Sequence, residues 1–185
     1  MKRCRLVLSG SGGQGVITAA IILAETAVLH ENLHAVQSQA YGPEARGGAT
    51  RSDVIISRDP INFPKVYQPN VLVCLTQQAY NKFYPIVRPG GMLVTDTRYV
   101  EVERKADAIQ IQLPLYETVM EKIGKPIVFN ICMLGALISL IELIDPKSVR
   151  KVLKKRIPSG FLDLNYQAFD LGRALGKDAK VSGAQ

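Results

Sequence analysis

"LSGSGGQGVITAA", residues 8–20, decides how this chain folds. An apolar stretch suited to a strand runs into Gly10, Gly12, Gly13 and Gly15, and small aliphatic residues at helical spacing follow. Gly10, Gly12 and Gly15 satisfy G-x-G-x-x-G between a strand and a helix, the setting in which that pattern has physical meaning. Glycine lets the backbone turn tightly and lets a ligand approach main-chain N–H groups, while the first free amides of the helix favour an anion. The same residues also suit plain strand-to-helix packing, so the turn alone leaves a phosphate seat and a packing corner both open.

Working outward, residues 5–9 read as the first strand and 16–29 as the first helix, the opening of a β-α-β unit. Further strands are expected at 35–39, 54–57, 71–75, 92–95 and 108–112, with helices at 78–87, 115–123 and 128–144. Asp145-Pro146 would cap and start another helix. This alternation predicts an α/β fold, a Rossmann-like three-layer domain with a mostly parallel sheet, right-handed crossovers and a helical C-terminal part. Of the 185 residues, 1–175 are expected to form one domain and 176–185 a flexible tail.

Residues 127–144 reach the length at which a membrane span must be weighed. Asn130, Ser139 and Glu142 interrupt the run and no second such segment exists, so the reading is no membrane span but a helix enclosed by protein. Its own sheet would cover one side and another subunit the other, or a second copy of the chain when the subunit is isolated.

Composition narrows the function class. Apolar residues make up 47% and charged ones 21%, which is globular rather than disordered. The formal charge of +7 favours an anionic ligand or acidic partner, and no nucleic-acid motif accompanies it. Cys4, Cys74 and Cys132 stand far apart in apolar surroundings without any CxxC pair, which suits a reduced, cytoplasmic protein that holds no iron-sulfur cluster or zinc of its own. The opening MKRC leads directly into a strand-like segment, so no signal peptide is expected. His30 and His34 have the spacing of a metal pair but no evident third ligand.

Known nucleotide signatures fit poorly. A dinucleotide fold needs an acidic residue roughly 20 positions beyond the glycines to hold the ribose. "HAVQSQAYG" offers none, and no Lys-Ser or Lys-Thr pair follows the glycines to make a Walker loop. "VRPGGMLV" looks like a turn found in methyltransferases, but that class also wants the acidic partner, and turn chemistry explains Pro-Gly-Gly.

A second loop, "YGPEARGG" at residues 41–48, combines rigid turn formers with functional heads: Tyr41, Glu44 and Arg46 beside Gly47 and Gly48, with Arg51 close behind. Arginine offers a planar fork for phosphate or carboxylate, and neighbouring glycines expose amides to the same anion. A solvated surface loop is the other reading. The segment 147–156 carries Lys147, Arg150, Lys151, Lys154, Lys155 and Arg156, read as a solvated helix face or a docking strip for an acidic partner. Tyr80, Phe83 and Tyr84 near Lys82 read as packing residues.

"GSGGQGV", "QSQAYGPEARGGATRSDVIIS" and "VRPGGMLV" together resemble the gamma subunit, or equivalent fused domain, of the 2-oxoacid:ferredoxin oxidoreductases over residues 5–174. The form "QSQAYGPEARGG" is most similar to that of the 2-oxoglutarate enzyme, with indolepyruvate, pyruvate and branched-chain 2-oxoacid members as the alternatives. The resemblance implies a complex that decarboxylates a 2-oxoacid on thiamine diphosphate, passes electrons through iron-sulfur clusters to ferredoxin, and releases an acyl-CoA. It also implies that thiamine diphosphate, magnesium and the clusters belong to alpha, beta and delta-type partner subunits. This chain would then serve assembly and take part in coenzyme A access, or serve assembly alone without touching CoA, and would be inactive alone. On that basis Gly10, Gly12, Gly13, Gln14, Gly15, Tyr41, Glu44, Arg46, Gly47, Gly48 and Arg51 are the expected CoA-facing residues, and no side chain here is expected to be catalytic.

Overall fold

Six strands form one sheet in a computed structural model that describes residues 3–39, 48–103 and 107–182, without the side chain of residue 182. They are β1 (Arg3–Gly10), β2 (His34–Gln39), β3 (Thr50–Ser57), β4 (Val71–Cys74), β5 (Gly91–Asp96) and β6 (Ala108–Leu113), in the spatial order β2-β3-β1-β4-β5-β6. β1, β4, β5 and β6 pair in parallel, as expected. β3 departs from that pattern and runs antiparallel to both β1 and β2. The link from Gln39 to Thr50 is too short for the helical crossover that parallel neighbours need, so the chain returns in the opposite direction.

The sheet is covered unequally. Leu6, Leu8, Val54, Ile56 and Val73 point to one side, where α1 (Val16–His30), α3 (Leu115–Lys122), α4 (Phe129–Ile141), α5 (Pro146–Arg156) and α6 (Ser159–Ser182) complete the larger core. Val7, Ile55, Leu72, Cys74 and Leu93 point to the other, which holds α2 (Gln77–Phe83) and the loop residues Val66 and Val100. This alternation along β1 is the period-2 signature of a strand buried on both faces.

α2 and α5 start on side-chain caps, and α2 ends at Phe83, short of the expected 87, where a 3₁₀ turn with Pro85 follows. Thr76 caps α2, its hydroxyl accepting from the Ala79 amide, and Asp145 caps α5 ahead of Pro146. α4 is shorter than the expected 128–144: residues 126–128 form a 3₁₀ turn, and the helix stops where Glu142 adopts φ 48°. All of residues 129–140 are buried, and α6 of the same chain, rather than another subunit, covers the outer side. The two helices meet backbone to backbone. A Cβ on Gly172 would lie 1.8 Å from the Cys132 carbonyl oxygen, and one on Gly135 would lie 2.1 Å from that of Phe169. Gly176, expected to open a loose tail, instead packs on Ala136 within α6, which continues to Ser182. Among the described residues no helix is long and apolar enough to cross a membrane.

Candidate functional site

The glycine turn has an inner, braced side and an outer, open one. Gln14 makes the brace: its Oε1 accepts from the Ser11 amide at 2.8 Å, and its Nε2 donates to the Leu75 carbonyl at 3.3 Å, just past β4. Gln14 lies over Gly10, its Oε1 2.4 Å from where a Cβ would stand, so a side chain at Gly10 would displace the brace. Gly15 begins α1 in the left-handed region, and its carbonyl accepts from the Ala19 amide at 3.0 Å and from Asn130 Nδ2 at 3.2 Å. Among the described residues no side chain caps α1. Outside this brace Gly12 and Gly13 are exposed, and among the described residues a Cβ on Gly13 would meet nothing within 4 Å. Exposed main chain at an uncapped helix start is an electropositive surface for an anion.

The turn lies at a topological switch point of the sheet. From the adjacent parallel strands β1 and β4 the chain departs to opposite faces, into α1 on one side and α2 on the other. In open α/β sheets ligands bind outside the carboxyl ends of the strands at this change of direction. The Gln14-to-Leu75 hydrogen bond spans that switch point, with Thr76 and Gln77 following on the β4 side.

Tyr41, Glu44, Arg46 and Gly47 of the second loop lie outside the described residues, but both ends of the loop are fixed. Gln39 pairs with Ser52, and Thr50 pairs with Gly10, so the segment leaves and re-enters the sheet at the edge that carries the glycine turn. Thr50 Oγ1 donates to the Gly10 carbonyl at 2.9 Å, and Ser9 Oγ donates to that of Thr50 at 2.6 Å. Gly48 is thus two residues from a direct tie to the turn.

Arg51 is committed within the fold. Its Nε and Nη2 donate to the two carboxylate oxygens of Asp53 at 2.7 and 3.1 Å, and Nη2 also donates to the Val66 carbonyl. Asp53 accepts in turn from the Val66 amide at 3.0 Å, and the guanidinium lies 5.5 Å from the Phe83 ring centre. The α2 face therefore holds the charge that the sequence offered to an anion. Period-2 alternation alone places residues 51 and 53 on one face of a strand, a signal the sequence carried.

Other groups on the same sheet edge were not singled out by sequence. Asp96 ends β5 fully buried, accepting from the Arg98 amide at 3.0 Å and the Tyr116 amide at 2.8 Å. Burial pushes its carboxyl above the usual range, while amides of Tyr116, Arg98 and Tyr99 pull the other way. Tyr99, Tyr116 and Phe129 meet edge to face beside it, with ring centres 5.0 to 6.3 Å apart. Burial drives the thiols up, that of Cys4 to about 11 and that of Cys132 to about 12, so neither is a ready nucleophile. His30 ends α1 and His34 opens β2, so the pair does not share a helix face. On α5, Arg150 pairs with Asp170 and Arg156 with Glu25, while Lys151, Lys154 and Lys155 face solvent.

Residues 5–175 match the family described as Pyruvate ferredoxin/flavodoxin oxidoreductase. The chain is 43% identical over 178 residues to the 2-oxoglutarate synthase subunit KorC of Methanocaldococcus jannaschii, with 95% of each chain covered. It is similar to the crystal structure of a keto/oxoacid ferredoxin oxidoreductase gamma subunit from Geobacter sulfurreducens: TM-score 0.89, 35% identity, 97% of this chain and 99% of that one covered. The fold is also shared with part of the 2-oxoglutarate:ferredoxin oxidoreductase from Magnetococcus marinus, whose structure carries 2-oxoglutarate, coenzyme A and succinyl-CoA. There the TM-score is 0.85 at 23% identity, over 96% of this chain and 32% of that one.

Proposed function

The chain belongs to the pyruvate ferredoxin/flavodoxin oxidoreductase family, and from that premise we propose that it is the gamma subunit of a 2-oxoglutarate:ferredoxin oxidoreductase whose CoA it helps to seat. In the assembled complex 2-oxoglutarate loses carbon dioxide, the remaining acyl group passes to CoA as succinyl-CoA, and ferredoxin accepts the electrons. Thiamine diphosphate, magnesium and iron-sulfur clusters sit in the alpha, beta and delta-type partners and supply the carbanion and redox chemistry. The thiols of this chain suit no cluster: all three are buried, and losing their protons to a metal is costly there.

The observation that carries this reading is the switch point at the carboxyl ends of β1 and β4, where the chain departs to opposite faces and Gly12 and Gly13 are exposed. Gly12 and Gly13, with the uncapped start of α1 behind Gly15, receive a phosphate of CoA through main-chain donors. Arg46 is proposed to add a charge-assisted bond and Glu44 to orient its neighbours, with Tyr41, Gly47 and Gly48 as further residues proposed to face CoA. Arg51 does not face the ligand; with Asp53 it ties β3 to Val66 in the link before β4.

Arg46→Ala in the reconstituted complex is expected to raise the KM for CoA about tenfold, the worth of one charge-assisted hydrogen bond, and to leave the KM for the 2-oxoacid unchanged. Arg51→Ala is a poor substitute, because it strands Asp53. Unchanged CoA kinetics together with loss of subunit co-purification would reassign the loop to assembly alone.

A further inference from the structure

At the opposite end of the sheet from the glycine turn, four cations ring a second cavity. Arg3 and Arg5 project from β1 on the side of Val7 and Ile55, and Lys65 and Arg88 reach in from the links before β4 and β5. The cavity measures about 440 Å³, and Ile55 forms its buried floor. Among the described residues none of these four cations pairs with a carboxylate. Arg3 donates only to neutral groups, the Pro60 carbonyl at 3.1 Å and the Ser57 hydroxyl at 3.4 Å. Phe63 and Tyr67 stand at the mouth with planes 20° apart and centres 6.0 Å apart, and they are 55% and 69% exposed.

We propose that this cavity binds a nucleoside di- or triphosphate, its phosphates on Arg5, Lys65 and Arg88 and its base against the outer face of the Phe63–Tyr67 pair. Unpaired cations converging in a concave site select an oligophosphate. Its size falls in the range of small-molecule pockets, roughly 300–1,000 Å³, where a protein partner would be met by a flatter surface. Phosphate alone leaves two large exposed rings unexplained, whereas a planar base stacks on them. The site is separate from the proposed CoA site: β1 extends from Arg3 to Gly10, about 23 Å at the rise of a strand.

The test titrates the full chain with ADP and with pyrophosphate by calorimetry, for wild type, Lys65→Glu/Arg88→Glu, Arg88→Gln and Tyr67→Ser. All three altered residues are exposed, and melting curves verify that each variant is folded. Wild type is expected to bind both probes. The double charge reversal weakens both at least about tenfold, and Arg88→Gln weakens both by less. Tyr67→Ser weakens ADP about tenfold and leaves pyrophosphate unchanged. In the assembled complex the double variant keeps the wild-type KM for CoA, which distinguishes this site from the one tested by Arg46→Ala. No ADP binding at millimolar concentration, binding untouched by the charge reversal, or a raised KM for CoA would overturn the assignment. So would loss of reduced-ferredoxin formation with ADP affinity intact, which would make the patch an acidic-protein dock.

Discussion

Two glycine clusters of this molecule, the helix crossing and the turn, differ in the space around them. At the crossing of α4 and α6 a Cβ would meet backbone: Cys132 O at 1.8 Å from Gly172, Phe169 O at 2.1 Å from Gly135, and Ala136 O at 2.5 Å from Gly176. At the turn, Gly10 and Gly15 face side chains, Gln14 Oε1 at 2.4 Å and Asn130 Nδ2 at 2.5 Å, while among the described residues Gly13 has nothing within 4 Å. Gly13 and Gly15 hold φ of 88° and 69°. Glycine is thus demanded by space at the crossing, by dihedral angle at Gly13, and by both at Gly15. Only a glycine demanded by dihedral angle alone leaves open volume beside an exposed amide, and that is where a ligand has access.

The largest effect is expected at the crossing. Gly172→Ala drives a methyl group into the Cys132 carbonyl, a backbone atom that no rotamer change removes, so the helices must separate. The expected loss is about 3 kcal/mol or more of unfolding free energy, at the upper end for overpacking. Urea denaturation measures it, and a loss below about 1 kcal/mol would mean that the crossing is not held by close approach. CoA kinetics of whatever complex assembles should be unchanged, since the crossing carries no proposed ligand contact.

Gly15→Ala comes next, because its neighbour is a side chain that can move. About 2 kcal/mol is expected, part from the left-handed dihedral and part from the clash with Asn130. A double-mutant cycle divides the two parts. In an Asn130→Gly background, which removes the Asn130 Cβ at 3.0 Å as well as the amide, the cost should fall towards the dihedral share, about 1 kcal/mol, whereas strict additivity would remove the steric half of the comparison.

The sequence shows the turn and conceals the crossing for a physical reason. Gly10, Gly13 and Gly15 act within one strand-to-helix corner, so the pattern is local. The partners of Gly172 lie some 40 residues away on α4, and glycine is a poor helix former, so residues from 176 onward read as a loose tail until tertiary contact overrides propensity. The same division runs through the sheet. Val71–Cys74 is legible because a central parallel strand is apolar on both faces. The direction of β3 is not, because residue pattern fixes a strand's existence and leaves its pairing to the length of the link. At the site, Gly10, Gly12, Gly13 and Gly15 announce themselves. Asn130 reaches Gly15 across 115 residues, which no local pattern encodes.

The smallest stability effect, and the most discriminating for function, belongs to Gly13→Ala. Among the described residues the new methyl group meets nothing within 4 Å, so the expected cost is the dihedral one, about 1 kcal/mol by denaturation. That methyl stands on the open side of the turn, beside the amides that the proposed phosphate contacts, so the KM for CoA in the assembled complex should rise several-fold. A stability loss without a change in KM would place Gly13 with the helix-crossing glycines as a purely architectural residue, and the distinction between the two clusters would then lie in geometry alone. A rise in KM without the stability loss would mean that the turn relaxes its φ of 88° when alanine occupies it. The amides would then be free to move in the unliganded chain, and CoA would be the group that orders them.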